Sequence, residues 1–182
     1  MKKLFILLFA MLISTNLYAI NVSGVNLDDT LTLNDAQLKL NGYGIRKKWF
    51  VKVYIASLYT TKKVSSFSEA VSDGNKLIRL NFLHKVEKHK ITDTLNEAFQ
   101  SITPDLPASE AGKKFFAQFN ADFNVGDVLD LALLADGTVI TKHNNKVLGM
   151  IKSNRLAFGL LSIYIGDKPV DPELKKGMLG LK

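Results

Sequence analysis

The pattern of apolar and polar positions predicts several β-strands along the first half of the chain. Residues 22–33 alternate weakly, which predicts one or two short strands. Residues 49–59 are rich in aromatic and β-branched side chains and are too apolar to face water on one side. They therefore predict a central strand that is covered on both faces. Residues 76–84 alternate clearly and predict a further strand, with Ile78 and Phe82 on the same face.

Five segments carry helical signals. Residues 88–102 repeat apolar side chains at helical spacing, and residues 108–119 do the same after a Thr-Pro break. Residues 155–165 are apolar nearly all round, which predicts a buried helix. Asp171 is followed by proline, a start signal for a last helix, and residues 66–71 predict one short helix more.

The order of these elements indicates the fold class. Residues 128–151 read as a meander of three strands, with turns at Asp136-Gly137 and Asn144-Asn145. Together the elements run β-β-β-α-β-α-α-β-β-β-α-α. That order favours an α+β fold, an open-faced antiparallel sheet with helices packed on one side. No repeat or Pro/Gly-rich linker interrupts the chain, so we expect a single domain over residues 20–182.

Residues 1–19 have the pattern of a secretory signal peptide. A short basic start precedes ten apolar residues and a polar break that leads to Ala19. Ten apolar residues fall well short of the ~20 that span a bilayer. We therefore expect cleavage after Ala19, a mature chain without a transmembrane segment, and a periplasmic or secreted location.

Composition narrows the expected partners. The full chain has a formal net charge of +7, and without residues 1–19 it keeps 22 basic residues against 17 acidic ones. The basic residues are scattered in small groups, so nucleic acid is not an expected partner. There is no cysteine, and the spacing of His84, His89 and His143 does not suit a metal site. We expect a monomer without a metal ion or cofactor.

The segment of residues 40–59 carries the strongest candidate for a binding site. Gly42 and Gly44 predict a glycine-rich turn that leads to Arg46, just before the apolar strand. A guanidinium beside a buried strand is costly unless it meets an anion, and its forked donors suit a carboxylate. On one straight strand Arg46 and Tyr54 would lie ~26 Å apart. A shared ligand therefore requires the chain to turn at residues 47–49.

The same segment resembles the chalcone isomerase-like family. The run from Leu40 to Arg46 is similar to that family's glycine-x-glycine-x-arginine turn, and the next strand carries Lys52-Val53-Tyr54. A second block, residues 160–175, resembles the family's closing helix–turn–helix. The resemblance implies the same α+β fold for this chain.

The resemblance also implies site residues and a function. Arg46 matches the family's arginine, and Asn96 matches its asparagine. Tyr54 stands where the family's fatty-acid binders have tyrosine and its isomerases have threonine. Ile163 and Tyr164 replace a threonine–methionine pair that shapes the flavonoid pocket. These residues imply a non-catalytic protein that binds a fatty acid or a similar amphipathic or aromatic acid. The alternative is an intramolecular lyase or isomerase, with Arg46 stabilising an oxyanion; no catalytic residue is assigned.

Overall fold

A computed structural model describes residues 19–181, and nine strands make up its two sheets. β1 (Ala19–Val22) and β2 (Val25–Asp28) form a separate two-stranded hairpin. The other seven strands pair antiparallel in simple chain order. They are β3 (Thr30–Leu33), β4 (Ala36–Lys48), β5 (Val51–Thr60), β6 (Lys76–Phe82), β7 (Val128–Leu133), β8 (Thr138–His143) and β9 (Lys146–Lys152).

Five helices pack on one face of the seven-stranded sheet. They are α1 (Phe67–Ser72), α2 (Lys88–Ile102), α3 (Glu110–Phe116), α4 (Asn154–Ile165) and α5 (Pro172–Met178). Apolar side chains that point to this face, such as Ala56, Leu80 and Leu131, join the helices in the largest core cluster. The sheet order and the one-sided helices confirm the predicted α+β fold. Within residues 19–181, no helix is both long and apolar enough to cross a bilayer.

The opposite face of the sheet is covered by strands. Val22 and Leu27 of the β1–β2 hairpin pack on Ile55 of β5. Farther along the same face, Leu33 and Leu38 pack on Tyr59. β5 is therefore buried on both faces along most of its length, as its uninterrupted apolar sequence predicts.

Helix α4 lies at the centre of the helical layer. Eight of its twelve residues are buried, including Leu160, Ile163 and Tyr164. Ser153 caps its first turn by accepting a hydrogen bond from the backbone N–H of Leu156. The prediction of a buried helix at residues 155–165 is confirmed.

The predicted glycine-rich turn is wrong, because Gly42 and Gly44 lie inside the thirteen-residue strand β4. Their role is to let helix α5 approach the strand. A Cβ atom on Gly42 would lie 2.3 Å from the backbone oxygen of Gly177, and one on Gly44 would lie 2.9 Å from the Cα of Leu174. Sequence reasoning read the glycines as turn residues because local sequence does not show which helix will lie against a strand.

The N-terminal prediction concerns residues that the structure mostly leaves undescribed. The predicted signal peptide, residues 1–19, lies outside the described residues except for Ala19. That residue is exposed and begins β1, where it pairs with Asp28. The five strands before α1 also exceed the three that were predicted, because β3 and β4 were not recognised as separate strands.

Candidate binding site

The β4–β5 hairpin places Arg46 directly opposite Tyr54. The two strands pair antiparallel, and Trp49 and Phe50 form the two-residue connection between them. Arg46 and Tyr54 are partners in the register, so a separation of eight residues becomes a direct cross-strand pair. The turn that a shared ligand requires is present at residues 49–50, which overlap the predicted span of 47–49 at Trp49.

Arg46 is held in place by the segment between α4 and α5. Its Nη1 donates to the backbone oxygen of Val170 and lies 3.5 Å from Oδ2 of Asp171. The other Asp171 oxygen caps α5 by accepting from the backbone N–H groups of Glu173 and Leu174, at 2.9 and 3.1 Å. Within residues 19–181, Nε and Nη2 of Arg46 have no hydrogen-bond partner. The guanidinium is thus fixed at one nitrogen and has donors left for a ligand.

Two buried tyrosines adjoin this arginine. Tyr54 and Tyr164 are 6% and 3% exposed, and each influences the ionisation of the other. Burial raises the pKa of Tyr54 to about 12, although the positive charge of Arg46 opposes the shift. Burial also raises the pKa of Tyr164 well above its usual value, and the neighbouring Tyr54 adds to the rise. Both hydroxyls therefore stay protonated at neutral pH and can donate hydrogen bonds.

These polar groups lie in the wall of a cavity of about 970 Å³ between the sheet and helices α2 and α4. Most of the inner lining is aliphatic, contributed by the sheet strands and by the inward faces of both helices: Val53, Leu80, Ile91, Leu95, Leu129 and Ile163. The volume falls at the upper end of the roughly 300–1,000 Å³ range of ligand pockets. Arg46, the two tyrosines and several charged side chains share the wall with these aliphatic residues, an arrangement that suits an amphipathic ligand.

The cavity brings together four of the five predicted ligand-binding residues. Arg46, Tyr54, Ile163 and Tyr164 all contribute to its wall. Asn96 lies on α2 and is half-buried, but its neighbours Leu95 and Glu97 line the cavity and it does not. We therefore leave Asn96 out of the site, because its position on the helix turns it away from the cavity.

Sequence reasoning missed the groups that hold the arginine. Asp171 was recognised only as the cap of the last helix, and Val170 was not singled out. The Asp-Pro signal identified the cap, but no local pattern shows that the second oxygen of Asp171 faces a strand 125 residues earlier. Among residues 19–181, no group of three or more histidine or acidic side chains could hold a metal ion.

Comparison with known proteins gives one family and a set of similar structures. The profile of a family described as chalcone isomerase-like matches residues 19–180. Among solved structures, a fatty-acid binding protein from Arabidopsis thaliana is similar, with a TM-score of 0.69 over 89% of this chain and 96% of that one. The two sequences are 17% identical, so the likeness concerns the fold. A comparison with proteins of curated function gives no match.

Proposed function

The chain belongs to the chalcone isomerase-like family, and on that premise we propose that it is a non-catalytic protein that binds a fatty acid or a similar amphipathic acid. One observation carries the proposal. Arg46 and Tyr54 form a cross-strand pair in the wall of a cavity with a largely aliphatic interior, and the arginine retains free donors. A carboxylate in that position would satisfy donors that are otherwise unpaired.

The acid end of the ligand meets two side chains, Arg46 and Tyr54. Nε and Nη2 of Arg46 form a forked pair of donors that fits the two oxygens of a carboxylate. The Tyr54 hydroxyl, opposite Arg46, supplies a neutral donor because its pKa is about 12. Asp171 also interacts with the positive charge of Arg46. The distance of 3.5 Å between Nη1 of Arg46 and Oδ2 of Asp171 is longer than the ~2.8 Å of a strong charge-assisted hydrogen bond.

The acyl end of the ligand lies along the aliphatic lining. Leu80 and Leu129 come from the sheet, and Ile91 and Leu95 come from the inward face of α2. Burying a hydrocarbon chain there contributes about 0.8 kcal/mol per CH₂ group. The similar structure described as a fatty-acid binding protein supports this choice of ligand class.

The same geometry leaves a catalytic alternative that can be tested directly. An arginine with free donors could also stabilise an oxyanion during ring closure of a chalcone. The two tyrosines favour binding, since hydroxyls with raised pKa values donate protons in hydrogen bonds and are poor general bases. Loss of chalcone absorbance that depends on added protein and disappears in Arg46→Gln would replace the binding proposal with the isomerase.

Export is part of the proposal and rests on the sequence of residues 1–19. Expression of the full chain in a Gram-negative host should give a periplasmic protein whose N-terminus, measured by mass spectrometry, is Ile20. A cytoplasmic protein that retains residues 1–19 would contradict export without affecting the binding proposal.

Ligand binding is tested by extraction and by competition. Solvent extraction of the purified protein should release a bound acyl chain that mass spectrometry detects. Palmitate should displace a fluorescent fatty-acid analogue far better than hexadecanol does, because only the acid pairs with Arg46. Charge-assisted hydrogen bonds contribute about 1.5–3 kcal/mol, so Arg46→Gln should weaken palmitate binding roughly 10- to 100-fold.

The matched control is Arg155→Gln. Arg155 is an exposed arginine that pairs with Asp105 at 2.9 Å, away from the cavity lining. This variant should bind palmitate as the parent protein does. Equal affinity for palmitate and hexadecanol in the parent protein would refute an acid site at Arg46.

A further inference from the structure

The tip of the β4–β5 hairpin exposes large apolar side chains. Trp49 is 89% exposed, Phe50 is 100% exposed and Val51 is 43% exposed. We call these three residues the aromatic tip. None of them belongs to a core cluster of the described residues. A contiguous exposed apolar group of this kind is typical of an interaction surface.

The backbone at Trp49 shows that turn formation does not explain this residue. Its φ is +57°, in the left-handed region that bulky residues rarely adopt. Within residues 19–181 the other five non-glycine residues with positive φ are serine, asparagine or aspartate, the types that turns favour: Ser23, Asn34, Asp35, Asn144 and Asn145. Tryptophan at this position indicates a role other than folding.

Positive charge surrounds the aromatic tip. Lys47, Lys48 and Lys168 are exposed, and none of them has a carboxylate within 4.0 Å among the described residues. Lys48 and Lys168 lie with the aromatic tip along the mouth of the cavity. Lys85 and Lys90 are also there, but they pair with Asp122 and Glu87. The mouth therefore carries the apolar tip beside two unpaired cations, and the third, Lys47, adjoins them on β4.

We propose that the aromatic tip inserts into the headgroup layer of a bilayer that contains anionic lipids, with Lys47, Lys48 and Lys168 against the lipid phosphates. Tryptophan and phenylalanine beside lysine are typical of segments that lie at membrane interfaces. A fluid headgroup layer accepts a protruding tip without a preformed pocket. A second copy of the chain would instead bring the same lysines face to face.

Docking at this tip orients the cavity. Trp49, Phe50 and Val51 border the cavity mouth, so a docked protein presents that mouth to the lipid surface. An acyl ligand could then pass between bilayer and cavity with little exposure to water. This consequence rests on the proposed function, whereas the docking itself rests only on the aromatic tip and the three lysines beside it.

The tryptophan provides a direct test, because Trp49 is the single tryptophan of the whole chain. Its emission reports on the aromatic tip whether or not residues 1–19 have been removed. Vesicles of equal parts phosphatidylglycerol and phosphatidylcholine should shift the emission to shorter wavelength, and brominated acyl chains should quench it. Pure phosphatidylcholine vesicles should bind at least tenfold more weakly, and added salt should weaken binding to the anionic vesicles.

Paired variants locate the contact by vesicle cosedimentation. Trp49→Ser with Phe50→Ser should bind anionic vesicles at least tenfold more weakly. Its control, Val71→Ser with Met150→Ser, removes two other exposed apolar side chains and should bind like the parent protein. Lys47→Glu with Lys48→Glu should lower the affinity for anionic vesicles at least tenfold. Lys113→Glu with Lys114→Glu makes the same change in net charge and should lower that affinity much less. Circular dichroism of each variant checks that it is folded.

Three results would overturn the proposal. These are an emission that anionic vesicles do not change, undiminished cosedimentation of the tip variant, and a lipid-free blue shift that rises with protein concentration. The last would make the tip a contact between copies of the chain. Arg46→Gln separates docking from the proposed function, since it should lose palmitate binding and still dock. Vesicle binding by a parent protein that binds no palmitate would leave docking standing and reject the acid site.

Discussion

Two arginines on neighbouring parts of the sheet, Arg46 and Arg79, have similar exposure and opposite surroundings. Their side chains are 25% and 18% exposed. Arg79 lies on the face without helices, where Nε and Nη2 donate to the two carboxylate oxygens of Asp130 at 2.8 and 2.9 Å. Its Nη1 also lies 3.5 Å from Asp28. Arg46 lies on the helix-covered face, and among residues 19–181 its hydrogen bonds and ion pair involve Nη1 alone.

The two arginines are buried to a similar degree. What distinguishes the structural arginine from the candidate binding arginine is a carboxylate that bonds both forked donors. The carboxylate of Asp130 occupies the forked donors of Arg79, whereas the same donors of Arg46 have no hydrogen-bond partner among the described residues and its side chain lines a cavity. Each arginine has a buried tyrosine nearby, Tyr59 for Arg79 and Tyr54 for Arg46. The tyrosine alone therefore does not distinguish the two sites.

The largest expected effect comes from breaking the structural pair. Asp130→Ala leaves the Arg79 guanidinium without its bidentate partner on a mostly buried face, and loss of one partner of a buried pair costs on the order of 3 kcal/mol. Urea unfolding should show that loss in the free energy of unfolding. Asp105→Ala, which removes the partner of the exposed Arg155, is the control and should change stability by less than about 0.5 kcal/mol. A loss below about 1 kcal/mol for Asp130→Ala, roughly a third of the expected value, would mean that the two arginines do not differ in structural role.

The tyrosines should respond alike to alkaline pH. The pKa of each is raised from 10.0 to about 12, and burial is the first cause for both. Because the folded pKa exceeds the unfolded one, each tyrosine contributes stability that is fully present below pH 10 and is lost as pH rises towards 12. The full contribution is about 2–3 kcal/mol for each residue.

Unfolding measured across that pH window tests this expectation. Tyr54→Phe and Tyr59→Phe should each flatten the alkaline fall in the free energy of unfolding, and to a similar degree. A flattening by Tyr59→Phe alone would show that the Tyr54 hydroxyl reaches water through the cavity and titrates normally.

Arg46 should contribute little to stability. It pairs with Asp171 at a distance of 3.5 Å, and Asp171 keeps its contacts with the N-terminus of α5 when the arginine is removed. Arg46→Gln should therefore change the free energy of unfolding by less than about 1 kcal/mol, measured by urea unfolding beside Asp130→Ala. A loss as large as that of Asp130→Ala would make Arg46 a structural residue like Arg79.

The smallest effect is expected at Asn96. Its side chain is half-buried on α2 and lies outside the cavity lining. Asn96→Ala should leave palmitate displacement unchanged and shift the free energy of unfolding by no more than about 0.5 kcal/mol. Weaker palmitate binding in this variant would return Asn96 to the site, as the family resemblance implies.

Local sequence was sufficient for the elements whose signals are short-range. The two-sided apolar pattern identified β5, the nearly all-apolar segment identified α4, and the Asp-Pro start identified α5. It was insufficient for β4, because glycines in a strand and glycines in a turn look the same until a packing partner is known. Gly42 and Gly44 obtain theirs from α5, through Gly177 and Leu174, which lie 135 (177 − 42) and 130 (174 − 44) residues later in the chain.

The sequence by itself determined the fold class, the family and the identity of Arg46 and Tyr54 as candidates. Periodicity and residue type record whether a position is buried and what chemistry it offers, and both are local properties. Only the tertiary structure decided which arginine keeps hydrogen-bond donors without a protein partner. The hairpin register pairs Arg46 with Tyr54, the α4–α5 connection occupies one of its nitrogens, and β7 supplies the carboxylate that neutralises Arg79. Hydrogen-bond partners come from residues distant in the chain, so their presence or absence is a property of the fold.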